Sequence, residues 1–325
     1  MRKPTFDPGL TQQYKRSLRR AINPDGSFNV VRRGAHWRDI HPYLRLINMS
    51  WPAYLGTVLA AYMVVNVAFA VVYYALGPNA LTSSSEPTSG PERFFTCVYF
   101  SAQTLTTVGF GSIAPLTMPA NFVAAFEALM GLLSFAVATG VFFGRVSRPS
   151  ARIGFSPRAL IAPYQDGIAL EFRIVNRRTN ALMELEASMI LMTVDNADAG
   201  SKRTYARLRL EREAVDFFPL TWTVVHPIDN ESPLFGKTPD DLRQSEAEIL
   251  VKVKGWDETF SQTVHQRYSY RHDEIIWNAR FTPAFAINDE GDMVLNIEAV
   301  GDHEVLSELT LPPRAELRSG SEARS

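Results

Sequence analysis

Two kinds of hydrophobic patterning divide the chain. Trp51 to Gly77 contains no charged residue, and as helix it would reach about 40 Å, against a bilayer hydrocarbon core of roughly 30 Å. Trp51 and Tyr54 lie at one end and Tyr73 and Tyr74 near the other, as interfacial aromatics do. Pro119 to Val146 is a second span, interrupted only by Glu127 before Arg145, and Gly131 and Gly140 weaken it locally, which predicts bending. Between the spans, the Pro-, Ser-, Thr- and Gly-rich stretch from Gly77 to Pro91 reads as an external loop. Pro91-Glu92 then opens a helix to about Leu105, too short to cross a membrane but able to enter and stop. Ahead of the first span, Trp37, Ile40, Leu44 and Ile47 recur at helical spacing within Ala35–Met49. Such a segment can lie flat at the interface, with Pro42 marking where its regular part begins.

From about Phe155 the period changes from helical to two. Leu170, Phe172 and Ile174 alternate with Glu171 and Arg173, and similar runs fall at Leu182–Val194, Thr204–Leu210, Leu220–Ile228, Ala247–Lys254 and Met293–Ala299. Turn clusters such as Asn288-Asp289-Glu290-Gly291-Asp292 separate them, which predicts a β-sandwich. The expected division is a tail over 1–34, an interfacial helix over 35–50, a membrane domain over 51–147, a linker over 148–156, a β domain over 157–312 and a polar tail over 313–325. Within the membrane domain the expected parts are a first span 51–77, a short helix 92–105, an extended segment 106–111 and a second span 119–147. The N-terminal tail, with Lys15, Arg16, Arg19 and Arg20 and a turn at Asn23-Pro24-Asp25-Gly26, is expected to be partly disordered.

Composition adds exclusions. The 325 residues carry a net charge of −1, so no global attraction to nucleic acid follows. Cys97 is the single cysteine, so no intrachain disulfide can form, and its apolar setting predicts a packed thiol. The N-terminus has no apolar core of a cleavable signal. The histidines show no compact metal-ligand spacing. No GxGxxG follows a strand, so a nucleotide-binding domain is not expected, and no nucleophile–base pair is visible, so neither is an enzyme. Arg145, Arg148, Arg152 and Arg158 follow the second span. With the basic tail they place both termini in the cytoplasm. Glu127 lies at membrane depth, and a brace for the short helix is favoured over contact with ions.

The most specific stretch is Thr106-Thr107-Val108-Gly109-Phe110-Gly111. Backbone carbonyls can replace the water of a potassium ion if consecutive peptides aim inward. Gly109 and Gly111 reach the left-handed dihedrals this requires, and Thr107 can add its hydroxyl. One strand offers oxygens on one side only, so several copies must surround an axis. Val108 and Phe110 are expected to point away from the ion and pack against the scaffold.

These features together resemble the inward-rectifier potassium channels, most of all their prokaryotic branch. The resemblance rests on the filter and on Ser50-Trp51-Pro52, Arg145-Val146-Ser147-Arg148-Pro149, Trp222-Thr223-Val224-Val225-His226-Pro227-Ile228-Asp229, Ser232-Pro233-Leu234-Phe235-Gly236 and Asp273-Glu274-Ile275-Ile276-Trp277, and covers roughly residues 35 to 285. It implies an α+β membrane protein. Its two-helix pore carries a re-entrant helix and filter, and its cytoplasmic domain is an immunoglobulin-like β-sandwich, four copies assembling as a homotetramer. It implies an interfacial slide helix, a flexible loop at about Gly255–Thr263, and regulation by anionic phospholipid with Arg38, Arg145, Arg148, Arg152 and Arg178 as candidate ligands. It places Phe135 in the cavity, Phe143 at the inner-helix gate with Gly131 and Gly140 nearby, and Glu184, Lys254 and Gly255 along the cytoplasmic pore. No metal is implied beyond potassium ions in the filter. Phe110 stands where most members have Tyr, and Gln103 where many eukaryotic members have Glu. The missing charge at Phe135 predicts weak rectification. The rival function is a membrane-anchored sandwich that binds or senses without conducting.

Overall fold

A computed structural model describes residues 8–10, 13–14, 20–31, 33–34, 41–83, 89–147, 151–197 and 200–307. It comprises two units, one formed by residues 32–148 and the other by residues 1–31 with 149–325. The elements along the chain are β1 (Gln13–Tyr14), α1 (Pro42–Asn48), α2 (Trp51–Ala75), β2 (Leu81–Ser83), α3 (Gly90–Leu105), β3 (Ile113–Pro115) and α4 (Met118–Val146). The second unit continues with β4 (Ile153–Phe155), β5 (Ala159–Tyr164), β6 (Gly167–Asn176), β7 (Leu182–Ala197), β8 (Gly200–Leu208), β9 (Ala214–Phe217) and β10 (Thr221–Pro227). It closes with α5 (Pro239–Gln244), β11 (Glu248–Asp257), β12 (Gln262–Arg271), β13 (Ile275–Trp277), β14 (Ala279–Phe281), β15 (Phe285–Ile287), β16 (Met293–Leu295) and β17 (His303–Val305).

In the first unit each helix starts on a proline in its first turn, where the missing N–H costs nothing. The interfacial helix expected over 35–50 is regular only over Pro42–Asn48; Trp37, Arg38 and Ile40 lie outside the described residues. The first long helix stops at Ala75 rather than 77, with Leu76 as its cap. The short helix α3 begins two residues before the expected Glu92, because Ser89 caps it reciprocally with Glu92. The second long helix runs unbroken through Gly131 and Gly140, so the expected local bending is not seen as a break.

Burial in this unit is inverted relative to a water-soluble bundle. The covered positions of α2 and α4 include Asn66, Tyr73 and Glu127 beside Ala70, Ala120, Ala124 and Gly131. The open positions are Leu, Val and Phe, such as Leu59, Val64, Val67, Phe122 and Leu132. In water that arrangement would expose apolar surface for no return. In lipid it is the stable one, because polar groups must find partners inside and small residues let helices approach. Both helices are long and apolar enough to cross a bilayer.

The second unit is a sandwich of two sheets. One has the order β1-β8-β7-β11-β12, with β9 also on β7; the other has β10-β6-β5-β13, with β4 on β6. All these pairings are antiparallel except β5 with β13. Alternating residues of both sheets fill the space between, among them Leu170, Phe172 and Ile174 from one and Leu185, Met189, Ile249 and Val251 from the other.

Three expectations change. The segment 20–31 is docked rather than loose: Ile22 is buried with Met192, Tyr205 and Leu250, and the Ala21 N–H donates to both carboxylate oxygens of Glu248 at 3.0 Å. Arg20 pairs with Glu274 at 3.0 Å, and the Asn23–Gly26 turn closes through Gly26 N–H to Asn23 O at 2.8 Å. The loop expected over Gly255–Thr263 is a tight turn, since β11 runs to Asp257 and β12 resumes at Gln262. The strand expected over Met293–Ala299 ends at Leu295, because Asn296 accepts the Glu298 N–H at 3.0 Å and diverts the backbone into a 3-10 turn.

Candidate functional site

The end of α3 builds the candidate filter. The Thr107 N–H donates to Thr104 O at 3.0 Å and the Val108 N–H to Gln103 O at 2.9 Å. With Thr106 as the cap and Thr107 at φ 60, this is a Schellman ending, whose left-handed position usually holds glycine. The Gly109 N–H also turns back to Gln103 O, at 3.3 Å. Three successive amides are therefore aimed at the helix end, and their carbonyls are left for another direction. Left-handed residues fall at every second position, Thr107, Gly109 and Gly111 at φ 60, 53 and 82. Alternating the hand of successive residues turns successive carbonyls to one side, which makes a row of oxygens. The C-terminal end of α3, with its partial negative charge, lies directly behind this row and favours a cation there.

Val108 and Phe110 are 53% and 76% exposed, so within one chain nothing packs over them. The scaffold expected to receive them is not supplied by their own chain.

Behind the filter a polar network ties three helices. Glu127 on α4 accepts from Tyr73 on α2 at 2.7 Å and lies 2.5 Å from the Ser101 hydroxyl on α3. Ser101 lies 3.0 Å from Asn66 Oδ1, and Asn66 Nδ2 donates to Tyr62 O at 2.8 Å. Gly131 has a different task from bending: a Cβ there would run into the backbone carbonyl of Leu105, the last residue of α3. Nothing lies within 4 Å of a Cβ at Gly140. Phe135 and Phe143, 72% and 70% exposed, project from α4 without cover from their own chain.

Arg145 sits at the other end of α4. Its guanidinium donates to Leu46 O, to Ile47 O at 2.9 Å and to Met49 O at 2.7 Å, and lies 4.7 Å from the rings of both Trp51 and Tyr54. It thus caps α1 and fastens it to α2 and α4, so most of its donors are committed within the chain. Among the other cationic candidates, Arg38 and Arg148 lie outside the described residues. Arg152 is exposed at the start of the β unit, and Arg178 is half-buried, its N–H bonded to Asn176 Oδ1 at 3.0 Å.

In the β unit Glu184, Lys254 and Gly255 come together at a β-bulge. The pairing steps from Lys254–Glu186 to Trp256–Met183, so Glu184 and Leu185 both oppose Gly255. Glu184 takes φ 51 and is exposed, while Leu182 and Leu185 both point into the core. A Cβ on Gly255 would lie 3.1 Å from Leu185 Cδ1. Lys254 pairs with Glu186 at 2.7 Å, an acidic partner that sequence reasoning missed and that the cross-strand position alone reveals. The signature around His226 is a structural pin. His226 is buried between Arg209 O at 2.5 Å and Ser232 Oγ at 2.8 Å, and burial lowers its pKa. Among the described residues no group of His, Cys, Asp or Glu could hold a metal ion.

Comparison with known proteins gives this geometry its setting. Residues 153–313 match the inward rectifier potassium channel C-terminal domain, and residues 61–148 match the ion channel family. The chain is 36% identical over 282 residues to the inward rectifier potassium channel Kirbac3.1 of Paramagnetospirillum magnetotacticum, covering 86% of this chain and 93% of that protein. It is 26% identical to human ATP-sensitive inward rectifier potassium channel 15, covering 77% and 71%, and 27% identical to human inward rectifier potassium channel 18, covering 86% and 69%. With left-handed backbone at every second position after a short helix, two spans beside it and sequence shared over nearly the whole length of a bacterial relative, the chain belongs to the prokaryotic inward-rectifier potassium channels, membrane proteins that pass potassium ions.

Proposed function

We propose that four copies of this chain surround one axis, with the carbonyls of Thr107, Val108, Gly109 and Phe110 and the Thr107 hydroxyl replacing the hydration shell of potassium ions. The observation that carries this reading is the left-handed backbone at every second position, Thr107, Gly109 and Gly111, with the intervening amides bonded back into α3, the arrangement that a one-sided row of carbonyls needs. A single row cannot enclose an ion, and four rows can. The uncovered Val108 and Phe110 fit the same assembly, as surfaces for a neighbouring copy to meet. Phe143 closes the path at the inner end of α4, where four rings exclude water, and Phe135 lines the cavity above it. Glu184, Lys254 and Gly255 border the continuation of the path in the β unit.

Both termini face the cytoplasm of a bacterial inner membrane, by the excess of arginine after α4 and of lysine and arginine before α1. Anionic phospholipid modulates the gate through Arg38, Arg148, Arg152 and Arg178, each headgroup-level charge adding about 1 kcal/mol. Arg145 takes part by holding α1 to α4 rather than as a free headgroup ligand.

Rubidium uptake into liposomes containing the purified protein tests the reading. Barium-sensitive uptake that persists in excess sodium is expected, with its size changing as anionic lipid is varied. Uptake insensitive to barium, or equal for sodium, would sink it. A chemical cross-linking ladder ending at four chains is expected from the same preparation.

A further inference from the structure

The polar network behind the candidate filter needs one proton more than the ordinary charge states of its members supply. Asn66 is fixed in orientation, because Nδ2 donates to Tyr62 O at 2.8 Å, so its Oδ1 faces Ser101 as an acceptor at 3.0 Å. Ser101 has one hydroxyl proton and lies between two oxygens, Asn66 Oδ1 and Glu127 Oε1, the latter at 2.5 Å. Tyr73 gives its own proton to Glu127 Oε2 at 2.7 Å. If Glu127 were a carboxylate, one of the two Ser101 contacts would be oxygen against oxygen with no hydrogen between. Asn66, Ser101 and Glu127 are all buried, so no water relieves that contact at their surface. No ion pair among the described residues involves Glu127. Among the described residues, the titratable side chains packed around this site are Tyr73 from α2 and Cys97 from α3, neither of them a cation at any pH; the Arg93 guanidinium, whose charge reaches Cys97, is engaged instead with the Tyr74 carbonyl and ring.

We propose that Glu127 is a neutral carboxylic acid that donates its proton to Ser101, and that the chain Glu127–Ser101–Asn66–Tyr62 positions α3, and through it the filter, between α2 and α4. Every donor and acceptor is then used once: Tyr73 to Glu127, Glu127 to Ser101, Ser101 to Asn66, Asn66 to Tyr62. The distance of 2.5 Å lies at the short end for O–H···O, as an acid donor to a hydroxyl gives. Ser101 stands within one turn of the residues whose carbonyls, Gln103 and Thr104, hold the amides of the candidate filter. Glu127 is thus a positioning residue for ion selection, and this second half rests on the filter reading whereas the protonation half does not.

Infrared spectroscopy of the full-length protein in liposomes at neutral pH separates the two halves. The parent should show a carboxylic-acid C=O stretch above the amide envelope that shifts in D2O, is missing from Glu127→Gln, and moves to higher frequency in Ser101→Ala. Glu127→Gln, whose amide N–H can replace the acid proton, should keep rubidium uptake in excess sodium within about twofold of the parent. Glu127→Ala, which leaves buried partners unsatisfied, should lower the rubidium preference by about tenfold or more. No acid band lost on Glu127→Gln overturns the neutral acid, and this comparison decides even if the alanine variant does not assemble. An acid band together with unaltered selectivity in Glu127→Ala overturns the positioning role. A glutamine variant as damaged as the alanine variant overturns the donor assignment.

Discussion

Thr107 occupies, in left-handed backbone, a helix-ending position that favours glycine. A side chain with a Cβ loses about 1–2 kcal/mol there, and a β-branched one gains nothing locally in return. In the proposed filter the compensation is the row of oxygens, to which Thr107 would contribute both carbonyl and hydroxyl. Thr107→Gly should therefore hold or raise the thermal midpoint of the first unit by a degree or more while reducing potassium-over-sodium preference. A variant that melts lower with selectivity intact would show that the threonine serves packing instead. Gly131 presents the opposite case. Its missing side chain is filled by the Leu105 carbonyl, so Gly131→Ala forces α4 and α3 apart at the base of the filter. A loss of about 1–3 kcal/mol, the usual range for overpacking, should accompany reduced rubidium uptake, whereas Gly140→Ala, with open space around it, should do neither. Retained uptake in Gly131→Ala would count against the contact. The glycines of the filter were legible because their spacing is itself the chemistry. Gly131 was not, because a lone glycine in an apolar run reads as a bend until the backbone opposite it is known.

Among elements, the first long helix follows directly from a charge-free run, the second from a run broken only by Glu127 before Arg145, and all three helices from proline starts. The strands of β6 and β7 follow from alternation, but the bulge in β7 does not, since Leu182 and Leu185 each look like ordinary core residues. The docking of segment 20–31 was illegible for a similar reason: its anchors, Glu248, Ser269 and Glu274, lie more than two hundred residues away. Strand β6 also carries a buried acid. Glu171, held between β5 and β10, has its pKa pushed by burial from 4.5 up to about 7, with Arg173 opposing and Glu211 adding to the rise. A carboxyl whose folded pKa lies above its unfolded value favours folding most fully below pH 4.5, and that contribution disappears as pH rises to about 7. Glu171→Gln should then stabilise the β unit relative to the parent at pH 7 and above, with the difference shrinking toward pH 5. Taking the difference between the two melting curves removes the opposite contribution of His226, whose lowered pKa favours folding above its unfolded value. A difference independent of pH would show that Glu171 ionises as freely in the fold as outside it.

For the whole molecule, the surfaces that one chain leaves open matter most. Val108, Phe110, Phe135 and Phe143 are uncovered by their own chain, and the proposed fourfold pore would account for all of them at once. Phe143→Ala should raise basal rubidium uptake severalfold, because a ring of methyl groups is too wide to exclude water; unchanged uptake by intact tetramers would remove Phe143 from the gate. Rectification follows from what the path lacks. In the proposed tetramer Phe135 would place four uncharged rings at the position where the resemblance puts an acidic residue in strong inward rectifiers. In the β unit Lys254 sits beside Glu186, which largely offsets its charge, and leaves Glu184 as the exposed acid at the bulge. One carboxylate about 6 Å from an ammonium is worth roughly 3 kcal/mol at an effective dielectric near 20. A cavity without four such partners should hold a polyamine weaker by orders of magnitude, even after screening by permeant ions. Internal spermine should accordingly give weak, shallowly voltage-dependent block in bilayer recordings. Phe135→Asp should strengthen it at least tenfold, since it places a charged ring in a confined cavity, and the steepness with voltage should rise as the blocker displaces ions along the path. Strong block of the parent channel, or block left unchanged by Phe135→Asp, would mean that the polyamine site lies in the β unit around Glu184 and not between the α4 helices.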